Sequence, residues 1–86
     1  GGYNTALGEN AGNAIVGGLA GTYIGFGAAG SAAVNYATAL GYNTSVTASG
    51  AVAIGTDHLA GAATATVQDQ IALGQKRLDL RNRMQR

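Results

Sequence analysis

The sequence predicts an all-β solenoid, and three observations carry that expectation. A short word ending in an aliphatic residue and glycine recurs five times along 86 residues. The segments between the words are built from Gly, Asn, Thr and Asp, the residues of tight turns. The chain is also short of bulk: eighteen alanines and fifteen glycines stand against one Phe, one Met and no Trp. Alanine contributes little burial energy and glycine loses the most backbone entropy on ordering, so one copy can build only a thin core. Repeats that cannot bury a face alone do so by stacking, and self-association or a longer parent chain is expected to complete the cover.

The words, in order, are Thr5-Ala6-Leu7-Gly8, Thr22-Tyr23-Ile24-Gly25, Thr38-Ala39-Leu40-Gly41, Val52-Ala53-Ile54-Gly55 and Ile71-Ala72-Leu73-Gly74. Their glycines are separated by 17, 16, 14 and 19 residues. Weaker copies lie between them at Ala14-Ile15-Val16-Gly17, Ala32-Ala33-Val34-Asn35 and Val46-Thr47-Ala48-Ser49-Gly50. Words this short, flanked by Thr, Val, Ile and Tyr, read as strands of about four or five residues rather than helices. Alternation then puts the Leu or Ile of each word on one face and Ala or Thr on the other. One aliphatic per turn makes a narrow column of Leu7, Ile24, Leu40, Ile54 and Leu73, closed by Gly8, Gly25, Gly41, Gly55 and Gly74. The word Gly-Tyr-Asn-Thr occurs at 2–5 and again at 41–44, so Tyr3 and Tyr42 are expected to share one environment. Residues 77–84 differ: Leu78, Leu80 and Met84 alternate with charged residues, which fits a strand with one wet face, helical after Asn82. Two segments follow, a repeat domain over 1–75 and a basic transition piece over 76–86.

The words A-L-G-Y-N-T-S, A-S-G-A-V-A-I-G-T-D and Q-I-A-L-G resemble the head repeats of trimeric autotransporter adhesins and are similar to repeats in bacteriophage tail fibres. Gly41 to Gly55 carries that family's 14-residue spacing, and the likeness covers about residues 2–75. It implies a left-handed parallel β-roll in each chain, with three chains packed as a triangular prism whose aliphatic columns face inward. Gly74 through Asn82 loosely resembles the neck that follows such heads. Spacings of 16, 17 and 19 depart from the strict repeat and imply bulged turns or loops.

Charge is polarised. Residues 1–68 hold only Glu9 and Asp57, whereas residues 69–86 hold all five Lys and Arg with two Asp. A basic tail suggests nucleic acid, but no aromatic residue in it can stack on bases, and a solvated or inter-chain face is the reading preferred. There is no cysteine, hence no disulfide or thiolate metal site, and no apolar run reaches the roughly 20 residues a membrane helix needs. A hydrolytic triad would have to draw on Ser31, Ser45 or Ser49 with His58 and Asp57. Neighbouring strand residues point to opposite faces, so Asp57 does not orient His58, and no enzyme is expected. His58 is a weak metal candidate without a second ligand, and no cofactor is implied.

The expected function is attachment: an extracellular, non-enzymatic homotrimeric fibre that binds a cell-surface glycan or protein receptor, without nucleic acid and without membrane insertion. Uneven spacing and the lack of a heptad stalk favour a phage tail fibre over the head of a bacterial adhesin bound to host matrix. Candidate contact residues are Tyr3, Tyr23, Phe26, Tyr36 and Tyr42, whose rings can stack on sugars. An ice-binding solenoid is the distant alternative, which would need the threonines in one rank. Thr5, Thr22, Thr38, Thr56 and Thr64 keep no single register relative to the glycines.

Overall fold

The computed structural model describes residues 2–31, 33–57 and 61–74. The described chain is all-β, without a helix, and winds as a parallel β-solenoid of about four turns. One sheet is made of β1 (Thr5–Leu7), β2 (Thr22–Ile24), β4 (Thr38–Leu40), β6 (Val52–Ile54) and β10 (Ile71–Leu73), all parallel. A second parallel sheet is made of β3 (Ala29–Gly30), β5 (Ser45–Val46) and β9 (Thr64–Ala65). Each of the five words is therefore one strand of the long sheet, and their register is the alignment of the words themselves, Thr5↔Thr22↔Thr38↔Val52 and Leu7↔Ile24↔Leu40↔Ile54. The strands span two or three residues, shorter than expected, because the glycine after each aliphatic already turns the chain.

That turn is the same on three levels. The carbonyls of Gly8, Gly25 and Gly41 accept hydrogen bonds from the amides of Ala11, Ala28 and Thr44, three residues on. The glycines stand at φ of 124°, 122° and 123°, a region closed to side chains, and they stack on one another. A methyl on Gly25 would come within 2.9 Å of the Gly41 carbonyl carbon. On the fourth level the Gly55 carbonyl is met instead by Ala63, eight residues on, so this spacing carries five extra residues. Their flanks pair as the antiparallel β7 (Thr56–Asp57) and β8 (Gly61–Ala62). The surplus in the 17- and 16-residue spacings sits in the opposite corner, on the return to the long sheet. The expected bulges are thus loops confined to corners, and the weaker copies at Ala14–Gly17 and Val34–Asn35 lie in them without strand pairing.

The interior is narrow and made mostly of alanine. Ala28, Ala37, Ala39, Ala51, Ala53, Ala63 and Ala65 are buried with Val34, Val46, Thr44 and Tyr23. The Thr44 hydroxyl donates to the Gly41 carbonyl at 3.1 Å, which satisfies a polar group otherwise stranded in a dry core. Ala6, in the first rung, is exposed and Ala72, in the last, is half-buried, so the coil is driest in its middle rungs.

Candidate functional site

Three surfaces follow from this winding. The first is the outer face of the five-stranded sheet. Because the middle residue of each word points inward, the outer residues form two parallel columns: Leu7, Ile24, Leu40, Ile54 and Leu73, beside Thr5, Thr22, Thr38, Val52 and Ile71. Leu7 and Ile71 are about two-thirds exposed, and Ile24, Ile54 and Leu73 more than a third. Among the described residues, no charged one stands on this face. The aliphatic column was expected from the sequence, but Thr was expected on the opposite face with Ala; it stands in the second column beside the aliphatics instead, because residues two apart on a strand point the same way. Thr5, Thr22 and Thr38 share that column, but Thr56 lies in β7 and Thr64 in β9, so the threonines form no single rank.

The second surface is the corner after the long sheet. Phe26 and Tyr42 follow Gly25 and Gly41 on neighbouring levels, and their rings stack with centroids 5.5 Å apart and planes 14° from parallel. The Phe26 carbonyl accepts from the Asn43 amide at 2.8 Å, and the Tyr42 carbonyl accepts from the Thr56 hydroxyl. Each ring therefore spends one face on the other.

The third surface is the return corner. Here Tyr3, Ala20, Tyr36, Gly50 and Asp69 each stand two residues before a strand of the long sheet, and all five have positive φ, between 57° and 75°. Their amides repeat one ladder: Ala20 donates to the Gly2 carbonyl, Tyr36 to Leu19, Gly50 to Asn35 and Asp69 to Ser49. Gly and Asn take such angles readily, whereas a bulky aromatic is costly there, by about 1–2 kcal/mol. Tyr3 and Tyr36 accept that strain while remaining 93% and 65% exposed, so neither recovers it by burial. Tyr3 and Tyr42 consequently do not share an environment: the first Gly-Tyr-Asn-Thr enters a strand and the second leaves one.

Tyr23 corrects the list of surface rings. It is fully buried in the inward column that Ala39 and Ala53 occupy on the next levels, so it contacts no ligand. Space for its ring comes from absent side chains. A methyl on Gly21 would fall 2.5 Å from a Tyr23 ring carbon, and methyls on Gly12 and Gly30 would lie 3.3 Å from the ring. Its hydroxyl has no hydrogen-bond partner, and burial pushes its pKa up from 10.0.

Of the remaining candidates, the Ser49 hydroxyl accepts from the Asn35 amide at 3.2 Å and Ser45 lies in β5. His58 and the basic segment over 76–86 lie outside the described residues. Among the described residues, no group of three His, Cys, Asp or Glu could hold a metal ion, and no helix is long and apolar enough to cross a membrane. Compared with protein-family models, with curated proteins and with solved structures, the chain finds no match in any of the three.

Proposed function

We propose that this chain is the solenoid segment of a non-enzymatic, homotrimeric attachment fibre, wound left-handed and displayed outside the cell on a phage tail or, alternatively, at the head of a bacterial adhesin. One observation carries the reading: the uncharged outer face of the five-stranded sheet. Parallel sheets occur almost only with both faces covered, and here one face rests on the alanine interior while the other presents two columns rich in Leu, Ile and Val. Contiguous apolar patches of this kind mark interaction surfaces. Three copies arranged about an axis, each turning this face inward, would cover it without burying a charge, the Thr5, Thr22 and Thr38 hydroxyls being its polar groups. Such a rod carries three copies of every outer surface, so weak individual contacts gain by avidity.

The mass of the purified chain by light scattering tests the assembly. Three times the chain mass is expected, and a single-chain mass at high concentration contradicts it. Binding to whole bacteria rather than to matrix-coated wells separates the phage reading from the adhesin reading.

A further inference from the structure

We infer that the return corner carries a notch for one ring of a neutral glycan, gripped between Tyr3 and Tyr36 above the floor residue Ala20. The inference deepens the attachment reading by naming the ligand class and the place, and it rests on that reading only for its biological setting, since the notch lies within one chain.

The geometry comes from the column. Tyr3, Ala20 and Tyr36 occupy equivalent positions on three successive levels with the same backbone conformation, and the Ala20 and Tyr36 amides each donate to the level before, to Gly2 and Leu19. Levels repeat at about 4.8 Å, so the backbones of Tyr3 and Tyr36 are held roughly 9.6 Å apart with Ala20 between them. A ring inserted midway would lie roughly 4.8 Å from each, inside the range of about 4.5–7 Å over which rings stack. The floor is rigid, because both flanking levels tie it down. Asn4, next to Tyr3, donates to the Gly18 carbonyl at 3.1 Å and accepts from the Gly21 amide at 2.7 Å. Asn35, next to Tyr36, accepts from the Leu19 amide at 2.9 Å. The segment is thus clamped on both sides of Ala20, and the spacing of the tyrosines is set before any ligand arrives. Strained, exposed aromatics held by a preorganised scaffold point to a contact role rather than to stability.

Chemistry then selects the ligand. Residues 1–75 contain no Lys or Arg, so nothing in the coil neutralises a carboxylate, sulfate or phosphate. Aromatic faces carry partial negative charge that attracts the C–H faces of a pyranose, and the phenol hydroxyls reach its hydroxyl groups. An extended peptide would need free backbone groups, but the amides of Leu19, Ala20, Gly21 and Tyr36 are already bonded within the coil. The Phe26 and Tyr42 rings, stacked on each other, offer no comparable gap.

The test uses the full chain against immobilised dextran, amylose, galactomannan and β-glucan, with heparin as the polyanion. Capture by at least one neutral polysaccharide is expected, unchanged from low to roughly 0.5 M salt. Tyr3→Ala and Tyr36→Ala should each weaken it about tenfold, the change one ring stack carries. Ala20→Asn accepts the left-handed backbone and fills the notch, so it should abolish capture while the circular-dichroism melt is retained; Phe26→Ala should leave capture intact. Capture of none of the four neutral polymers, capture that salt removes, or capture indifferent to Tyr3→Ala and Tyr36→Ala overturns the notch. A single-chain mass on a sample that still shows tyrosine-dependent capture would sink the trimer and leave the notch standing.

Discussion

Ile54→Asp and Ala53→Asp place the same carboxylate one residue apart on β6, and the structure assigns them different fates. Ala53 is fully buried, so its carboxylate would enter the dry interior without a partner. An uncompensated buried charge costs about 3–5 kcal/mol or more. A chain of this length has about 4–13 kcal/mol of stability in total, so Ala53→Asp should unfold it or leave it marginal. Ile54 points outward and is already 39% exposed in the single chain. Losing the buried remainder of its side chain costs the isolated coil about 1–2 kcal/mol, which it survives. In a trimer the same change forfeits about 1 kcal/mol more of burial per copy and adds an unpaired carboxylate at each of three contacts. Far-UV circular dichroism with sedimentation velocity reads both outcomes: Ile54→Asp is expected to be folded and single, Ala53→Asp unfolded or melting far below the parent. An Ile54→Asp protein that sediments as a trimer with an unchanged melt would refute the outer face as the contact, and an Ala53→Asp protein with an unchanged melt would refute the alternation itself.

Three glycine variants should rank by melting temperature. Gly25→Ala is expected to cost about 2–4 kcal/mol through strain and the Gly41 backbone, Gly55→Ala about 1–2 because its φ of 86° is unfavourable but its surroundings are open, and Gly17→Ala to be neutral or slightly stabilising. A flat ranking would contradict the glycine stack. Tyr23→Phe removes a buried hydroxyl without a partner and should hold or raise stability by about 1 kcal/mol. Because burial raises the Tyr23 pKa in the folded state, its proton supports the fold below the unfolded value of 10.0, and that support is lost as pH rises through the higher folded value. The wild-type chain should therefore lose stability above pH 10 relative to Tyr23→Phe, and parallel pH–melting curves would oppose this. Replacing residues 56–62 by Thr-Asn restores the turn used at Gly41 and should leave a folded coil within about 1 kcal/mol of the parent, whereas loss of the β-signal would show that the excursion belongs to the core.

The long sheet was legible because its signal is local. Every word ends in a glycine that must turn with positive φ, and the register of the sheet is the alignment of those glycines. That Leu40 and Ile54 face away from Ala39 and Ala53 was legible in pattern, since neighbouring strand residues point to opposite sides, but which side is the interior was not, because alternation is the same either way. Tyr23 was not. Its ring lies inside only because Gly21 just before its strand, Gly30 in β3 and Gly12 in the corner of the previous level leave it space, and such compensation outside the word cannot be read from the word. The swapped words misled for a related reason: Tyr3 and Tyr42 have identical neighbours but opposite positions relative to the strand, and the corner, not the word, sets a residue's surroundings. The strained column of Tyr3, Ala20, Tyr36, Gly50 and Asp69 holds four different residue types in five positions, so backbone angle, not residue type, unites it.

Since the described surplus residues sit at the corners of the winding, height and girth of this column vary separately. Each added level moves whatever lies beyond it outward by one fixed step of about 4.8 Å, however long its loops. Lengthening a loop thickens a single storey and leaves the storeys above and below where they were. Two rings set a given number of storeys apart thus keep their separation while the outline around them is free to drift.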